Sequence, residues 1–195
     1  MSIRSESLPR FRFTSPDLLV YHVSWIPPSD CSWKLNFAGF VADCESGIAG
    51  IGFILRDENA IFKAGCAEPV NECDNIVTAE LLALSHGLEV AMNQGIDYVE
   101  IEGDCLSLFE LLYRQAEPMS SYAQELLNQC IGFIKSFRGV NIRWINSYSN
   151  GAANKMAALA IGEDEPIFWF GQPPPEISEI LVEDVVGRWV QVPKV

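Results

Sequence analysis

Thiolates and imidazoles are the side chains that most readily bind metals or attack substrates, and this chain has six cysteines and two histidines. The thiols stand at Cys31, Cys44, Cys66, Cys73, Cys105 and Cys130, with no C-x-x-C pair among them. His22 and His86 form no H-x-x-x-H and cannot complete a usual zinc set at that spacing. Free thiols in a reducing compartment are therefore expected, and no secretory signal opposes that reading. The glycines of "SGIAGIGF" invite comparison with phosphate loops. Gly47, Gly50 and Gly52 miss the G-x-G-x-x-G spacing, and a strand pattern follows them where a helix N-terminus would be needed.

Charge narrows the classes further. Acidic residues number 26 against 13 basic ones, a formal net charge of −13. Proteins that grip phosphate backbones do so with Lys and Arg, so long-range attraction to nucleic acid is opposed here. No run approaches the roughly 18 apolar residues of a membrane span, and no membrane partner is expected. The Arg- and Ser-leaning start, "MSIRSESLPRFRFTSP", is broken by Glu6 and lacks the amphipathic order of a transit peptide. An intracellular location, nucleus or cytoplasm, is expected ahead of organelle import.

Candidate chemistry needs elements to position it. Residues 1–30 show no sustained periodicity and read as an irregular leader. "WKLNFAGFVA", "IGFILRD" and "IFKAGCAEP" alternate or run apolar between tight turns, which predicts an antiparallel meander. The period then lengthens: "NIVTAELLALSHGLEVAMNQG" is helical, with Gly95 placed as its C-terminal cap. "IDYVEIEGD" predicts a strand with Val99 and Ile101 on its apolar face. "CLSLFELLYRQ" and "SSYAQELLNQCIGFIKSF" predict helices, "VNIRWINSY" a fifth strand, and "SNGAANKMAALAIG" a last small-residue helix. Strand–helix–strand steps imply right-handed crossovers, so the fold class is α/β: a mixed five-stranded sheet, three strands antiparallel and two parallel, with helices on both faces. The domain is expected over residues 31–162. A tail over 163–195 would carry a Pro-rich segment and a short amphipathic helix, with Ile177, Ile180, Leu181 and Val185 on one face.

This order resembles the ribonuclease H fold, and several stretches resemble its plant retroelement-type, reverse-transcriptase-like branch. That branch runs W-x-P-P and then K-L-N-x-D-G-S; here stand Trp25, Pro27, Pro28 and "KLNFAG". Its G-x-G-x-x-x-R-D is matched by Gly50 to Asp57, and its A-E-x-x-A-L-x-x-G-L-x-x-A by Ala79 to Ala91. E-G-D is matched by Glu102-Gly103-Asp104, and the last-helix pattern N-x-x-A-D-x-L-A-x-x-A by Asn150 to Ala160. The resemblance runs from about residue 25 to 187.

The resemblance implies a two-metal endonuclease that cleaves the RNA of RNA–DNA hybrids, with Mg²⁺ held by four carboxylates. Carried over residue by residue, two of the four survive as Glu80 and Asp104. The other two positions hold Ala38, with no ligand atom, and Asn154, a neutral and weaker ligand. Opposite unit charges 4 Å apart attract by about 4 kcal/mol at an effective dielectric of about 20, so two lost carboxylates cost more than one ion's hold. Any Mg²⁺ taken is expected to be weakly bound, by Glu80 and Asp104. Asp43, five residues beyond Ala38, falls on the wrong face of a strand to substitute.

Plainer roles stand beside these. Asp104 precedes "CLSLFE" and would cap that helix without any metal. Glu80 is either an inherited ligand or part of a solvated face. Trp33, Trp144 and Trp169 are expected to pack in core or tail more than to stack on bases. The expected function is a degenerate, catalytically impaired ribonuclease H-like module that binds nucleic acid (RNA or an RNA–DNA hybrid) or a protein through its C-terminal tail. The alternative is the hybrid-cleaving endonuclease itself.

Overall fold

The computed structural model describes residues 18–43, 47–71, 73, 75–114 and 120–193. Most of the N-terminal leader and Cys44 lie outside the described residues. The strands are β1 (Leu18–Val23), β2 (Trp33–Asp43), β3 (Ile48–Arg56), β4 (Phe62–Val70), β5 (Tyr98–Gly103), β6 (Gly139–Trp144), β7 (Ile167–Phe170) and β8 (Arg188–Pro193). The helices are α1 (Ile76–Asn93), α2 (Leu106–Arg114), α3 (Ser121–Ser136), α4 (Gly151–Leu159) and α5 (Pro175–Val186). None of them is long and apolar enough to cross a membrane.

The central sheet has the order β6-β5-β2-β3-β4-β7. β2, β3 and β4 form the antiparallel meander, while β5 and β6 run parallel to β2. Among the described residues the sheet thus has six strands rather than the expected five. The extra strand is "IFWF", which pairs antiparallel with β4 through Ala64–Ala67. Its four residues are too few for periodicity to announce a strand.

Alternation along β2 divides the two faces. Leu35 and Phe37 join a large core with α1 and α3, containing Phe53, Leu84, Leu88 and Ile101. Ala38 on the opposite face meets α4, and Ile54 joins Met156, Ala160 and Ile177 in a second cluster. Helix ends follow local chemistry. Asn75 caps α1, its side-chain oxygen accepting from Thr78 N–H at 2.9 Å. Just past α1, Gly95 has φ +72°, a left-handed conformation that glycine adopts without strain.

Residues 18–23, within the leader expected to be irregular, form a strand, and the tail adds β7 and β8 to its helix α5. β1 and β8 pair antiparallel from Leu18↔Pro193 to Val23↔Arg188, forming a separate two-stranded sheet. The residues after β1 and the helix before β8 close over a buried polar cluster. Arg56, 1% exposed, gives Nη1–H to Asp184 Oδ2 of α5 at 2.8 Å and lies 3.6 Å from the Trp25 ring centre. Trp25 Nε1–H and Arg56 Nη2–H both donate to Asn36 Oδ1. Lys34 Nζ donates to Glu102 at 2.7 Å and to Ile26 O at 2.6 Å. A charge taken out of water needs such partners: Arg56 is paired with Asp184, and Lys34 with both Glu102 and Glu100.

Candidate functional site

Ala38 is fully buried, and its methyl packs in a cluster with Ala153 and Ala157 of α4. Its neighbour across the β2–β3 pair is Gly52. A Cβ on Gly52 would collide with the Ala157 N and sit 2.7 Å from Met156 Cβ, so the bare glycine lets α4 lie directly on the sheet. On the other side, a Cβ on Gly39 would stand 2.7 Å from Ala79 Cβ and 2.8 Å from Glu80 N. The glycines flanking Ala38 therefore draw both α1 and α4 onto the middle of β2.

Glu80 arrives on α1 and is 3% exposed. The Gly39 N–H bonds its carboxylate, yet Oε2 has no hydrogen-bond partner. Burial pushes its pKa up from 4.5 to about 8, and the Asp104 charge adds to the rise while the Gly39 bond opposes it. Asp104 follows β5. Its Oδ1 accepts from Asn150 Nδ2 at 2.7 Å and its Oδ2 from Asn154 Nδ2 at 3.1 Å. Asn150 and Asn154 are four residues apart, hence on one face of the first turns of α4. Asn150 Nδ2 also donates to Phe37 O at 2.9 Å, and its own Oδ1 is buried without a partner.

The structure thus brings Ala38, Glu80, Asp104 and Asn154 to one end of the sheet, between β2, α1, β5 and α4. The capping role expected for Asp104 is not what its carboxylate does: both oxygens are taken by α4. Cys105 stands at the start of α2 instead, bonded by the Ser107 and Leu108 backbone N–H groups. Asn150 had not been singled out as a site residue. Its four-residue spacing from Asn154 was the available signal.

The remaining candidates lie elsewhere. His86 Nδ1 is 2.8 Å from Glu68 Oε2 on β4, and that bond raises its pKa. Trp169 packs on the second cluster and Trp33 on the first. Trp144 differs from its expected packing role: it is 47% exposed, with Nε1–H donating to Asp104 O at 3.0 Å. Asp43 ends β2, and its side chain lies outside the described residues. Cys31, Cys66, Cys105 and Cys130 are in no disulfide.

Two Mg²⁺ ions ask for oxygen ligands converging from four elements. The residues present do not fit that demand. Position 38 offers a methyl packed between methyls, and Asn154 turns its NH₂ toward Asp104. Among the described residues, no group of three or more His, Cys, Asp or Glu side chains is placed to hold a metal ion.

The fold is ribonuclease H-like. The chain belongs to the reverse transcriptase-like family, whose model matches residues 36–160. It is similar in structure to the RNase H1 of the archaeon Halobacterium salinarum, with 20% identity, TM-score 0.61, and 66% of this chain and 96% of that one covered. The N-terminal RNase H domain of a Mycobacterium tuberculosis protein aligns at 19% identity and TM-score 0.62, covering 66% of this chain and 92% of that one. LC11-RNase H1, solved in complex with an RNA/DNA hybrid, aligns at 19% identity and TM-score 0.59, covering 66% of this chain and 96% of that one. No curated protein matches the chain.

Proposed function

We propose that this chain is a ribonuclease H-like domain without two-metal nuclease activity, retained as a binding module. The observation that carries this reading is the occupant of position 38: a fully buried methyl in contact with Ala153 and Ala157. The amides of Asn150 and Asn154 supply Asp104 with hydrogen bonds where metal ions would supply charge. The end of β5 and the start of α4 are thereby held together by hydrogen bonds. Any Mg²⁺ would be held weakly, by Glu80 and Asp104 alone.

What the module binds follows from surface more than from the old site. The net charge of −13 disfavours a long polyanion, which leaves a protein partner as the favoured class and RNA or an RNA–DNA hybrid as the lesser one. One feature favours the second reading, a hybrid-cleaving endonuclease: Glu80 Oε2 is buried without a partner, as an inherited ligand atom would be.

Manganese binding, read from the loss of free Mn²⁺ signal in electron paramagnetic resonance, separates the two. Weak or undetectable uptake by the wild type, with higher affinity in Ala38→Asp/Asn154→Asp, is the expected result. Tight uptake of two ions by the wild type would rule out the proposal.

A further inference from the structure

The outer edge of the sheet offers a second surface, four strands away from β5 and Asp104. Among the described residues, no strand pairs with the far side of β7. The Gly171 N–H donates to Lys63 O at 2.8 Å, which sets the phase of the β4–β7 ladder. Successive residues of an antiparallel strand turn their peptide groups alternately toward and away from the partner. Gly171, Trp169 and Ile167 therefore face β4, and the N–H and C=O groups of Phe168 and Phe170 face the open edge.

The same two residues carry the exposed side chains. Phe168 is 46% and Phe170 59% exposed, and their rings stack with centroids 6.4 Å apart and planes within 9°. Natural sheets guard open edges with lysines, inward-pointing charges or proline, and "IFWF" contains none of these. The run just before Pro166 and β7 is acidic: Glu163, Asp164 and Glu165, all exposed. Lys63, at the other end, is held by Asp57 at 2.7 Å.

We propose that the β7 edge is a docking strand for an extended segment of a partner protein, apolar at alternate positions and basic at one end. The outward N–H and C=O groups of Phe168 and Phe170 supply the ladder, their side chains supply the apolar rungs, and Glu163–Glu165 select the charge. A guest running antiparallel, the slightly more stable pairing, would lay its C-terminal end against the acidic run. Its lysines or arginines belong there. A second copy of this chain is the poorer occupant, because it would bring its own net −13. The proposal rests on the binding-module reading but uses no residue of the Glu80–Asp104 site. Its failure would leave the metal-binding result untouched, and the reverse also holds.

The test is fluorescence anisotropy with a panel of labelled nonapeptides. Each joins an alternating Thr/Val/Phe stretch to a C-terminal Lys-Arg-Lys, and a matched panel ends in Glu-Asp-Glu. The wild type should bind the basic panel at least about tenfold more tightly than the acidic one, a preference that shrinks as salt shortens the screening length. Phe170→Pro removes an outward N–H that the β4–β7 ladder does not use, so the fold should persist while binding falls about tenfold or more. Phe168→Thr/Phe170→Thr keeps strand propensity and should weaken binding even if the proline variant misfolds. Charge reversal at positions 163–165 should invert the preference between panels. Equal affinity for both panels, no binding of the basic panel at about 1 mM (worth about 4 kcal/mol), or full binding by the double-threonine variant would overturn the proposal. So would self-association in sedimentation that Phe170→Pro abolishes.

Discussion

Glu80→Gln separates a vacated metal site from a working one without any assay of catalysis. Glutamine keeps the shape of the side chain and an oxygen for the Gly39 N–H, but it cannot ionise. In the wild type the carboxyl is 3% exposed, has an unpartnered oxygen, and has its pKa raised from 4.5 to about 8 by burial and by Asp104. Between those two values the folded chain keeps a proton that the unfolded chain has released. Glu80's contribution to stability is therefore full below about pH 4.5 and declines as pH rises toward 8. The slope is about 1.4 kcal/mol per pH unit, for a total bounded at about 5 kcal/mol. His86 acts in the same direction, since its bond to Glu68 raises its pKa and the charge that strengthens that bond is lost as the ring deprotonates. The difference between wild type and variant removes that background. Urea unfolding followed by tryptophan fluorescence from about pH 5 to 8.5 should show Glu80→Gln gaining on the wild type as pH rises. Parallel pH profiles would refute the reasoning, because they would place an ionised Glu80 in the fold across that range. Stabilisation of the wild type by Mg²⁺ at pH 8, absent in the variant, would say the same.

Three further predictions probe the scaffold. Asn150→Ala removes the bonds to Phe37 O and Asp104 and should cost about 1–3 kcal/mol in urea unfolding, more than Asn154→Ala, which breaks one half-buried bond. Asp184→Ala leaves Arg56 buried without its carboxylate and should cost about 3–5 kcal/mol, measured the same way. Gly52→Ala drives a methyl into the α4 backbone, so thermal unfolding should show a loss of about 1–3 kcal/mol or more. An unchanged midpoint in any of the three would contradict the contact named.

What the residues announced and what they hid divides along the range of the interactions. The α1 pattern, its Gly95 cap and the meander of β2–β4 rest on local spacing and were legible. β1 and β8 were not: "LLVYHV" acquires its strand partner from "RWVQVP" at the far end of the chain, and no local period records that pairing. β7 escaped for the opposite reason, being four residues long and adjacent to an acidic run that reads as loop. At the site, Ala38 and Asn154 stand out by departing from the four-carboxylate pattern that the family resemblance implies. The role of Asn150 does not, because an amide that holds Asp104 is defined only when α4 meets the end of β5. Trp144 likewise reads from the sequence as packed in core or tail, whereas its indole N–H bonds the Asp104 carbonyl and leaves the ring half in solvent.

The central claim is that the metal pair has been lost, and cleavage of a fluorescent RNA–DNA hybrid in Mg²⁺ and in Mn²⁺ tests it most directly. Wild type, Glu80→Gln and Ala38→Asp/Asn154→Asp would be run side by side. The account predicts no cleavage above background from the wild type and none from Glu80→Gln, with any activity confined to the variant carrying both restored carboxylates. Wild-type cleavage that Glu80→Gln abolishes would contradict it, and would mean that a ligand outside Glu80 and Asp104 completes the site.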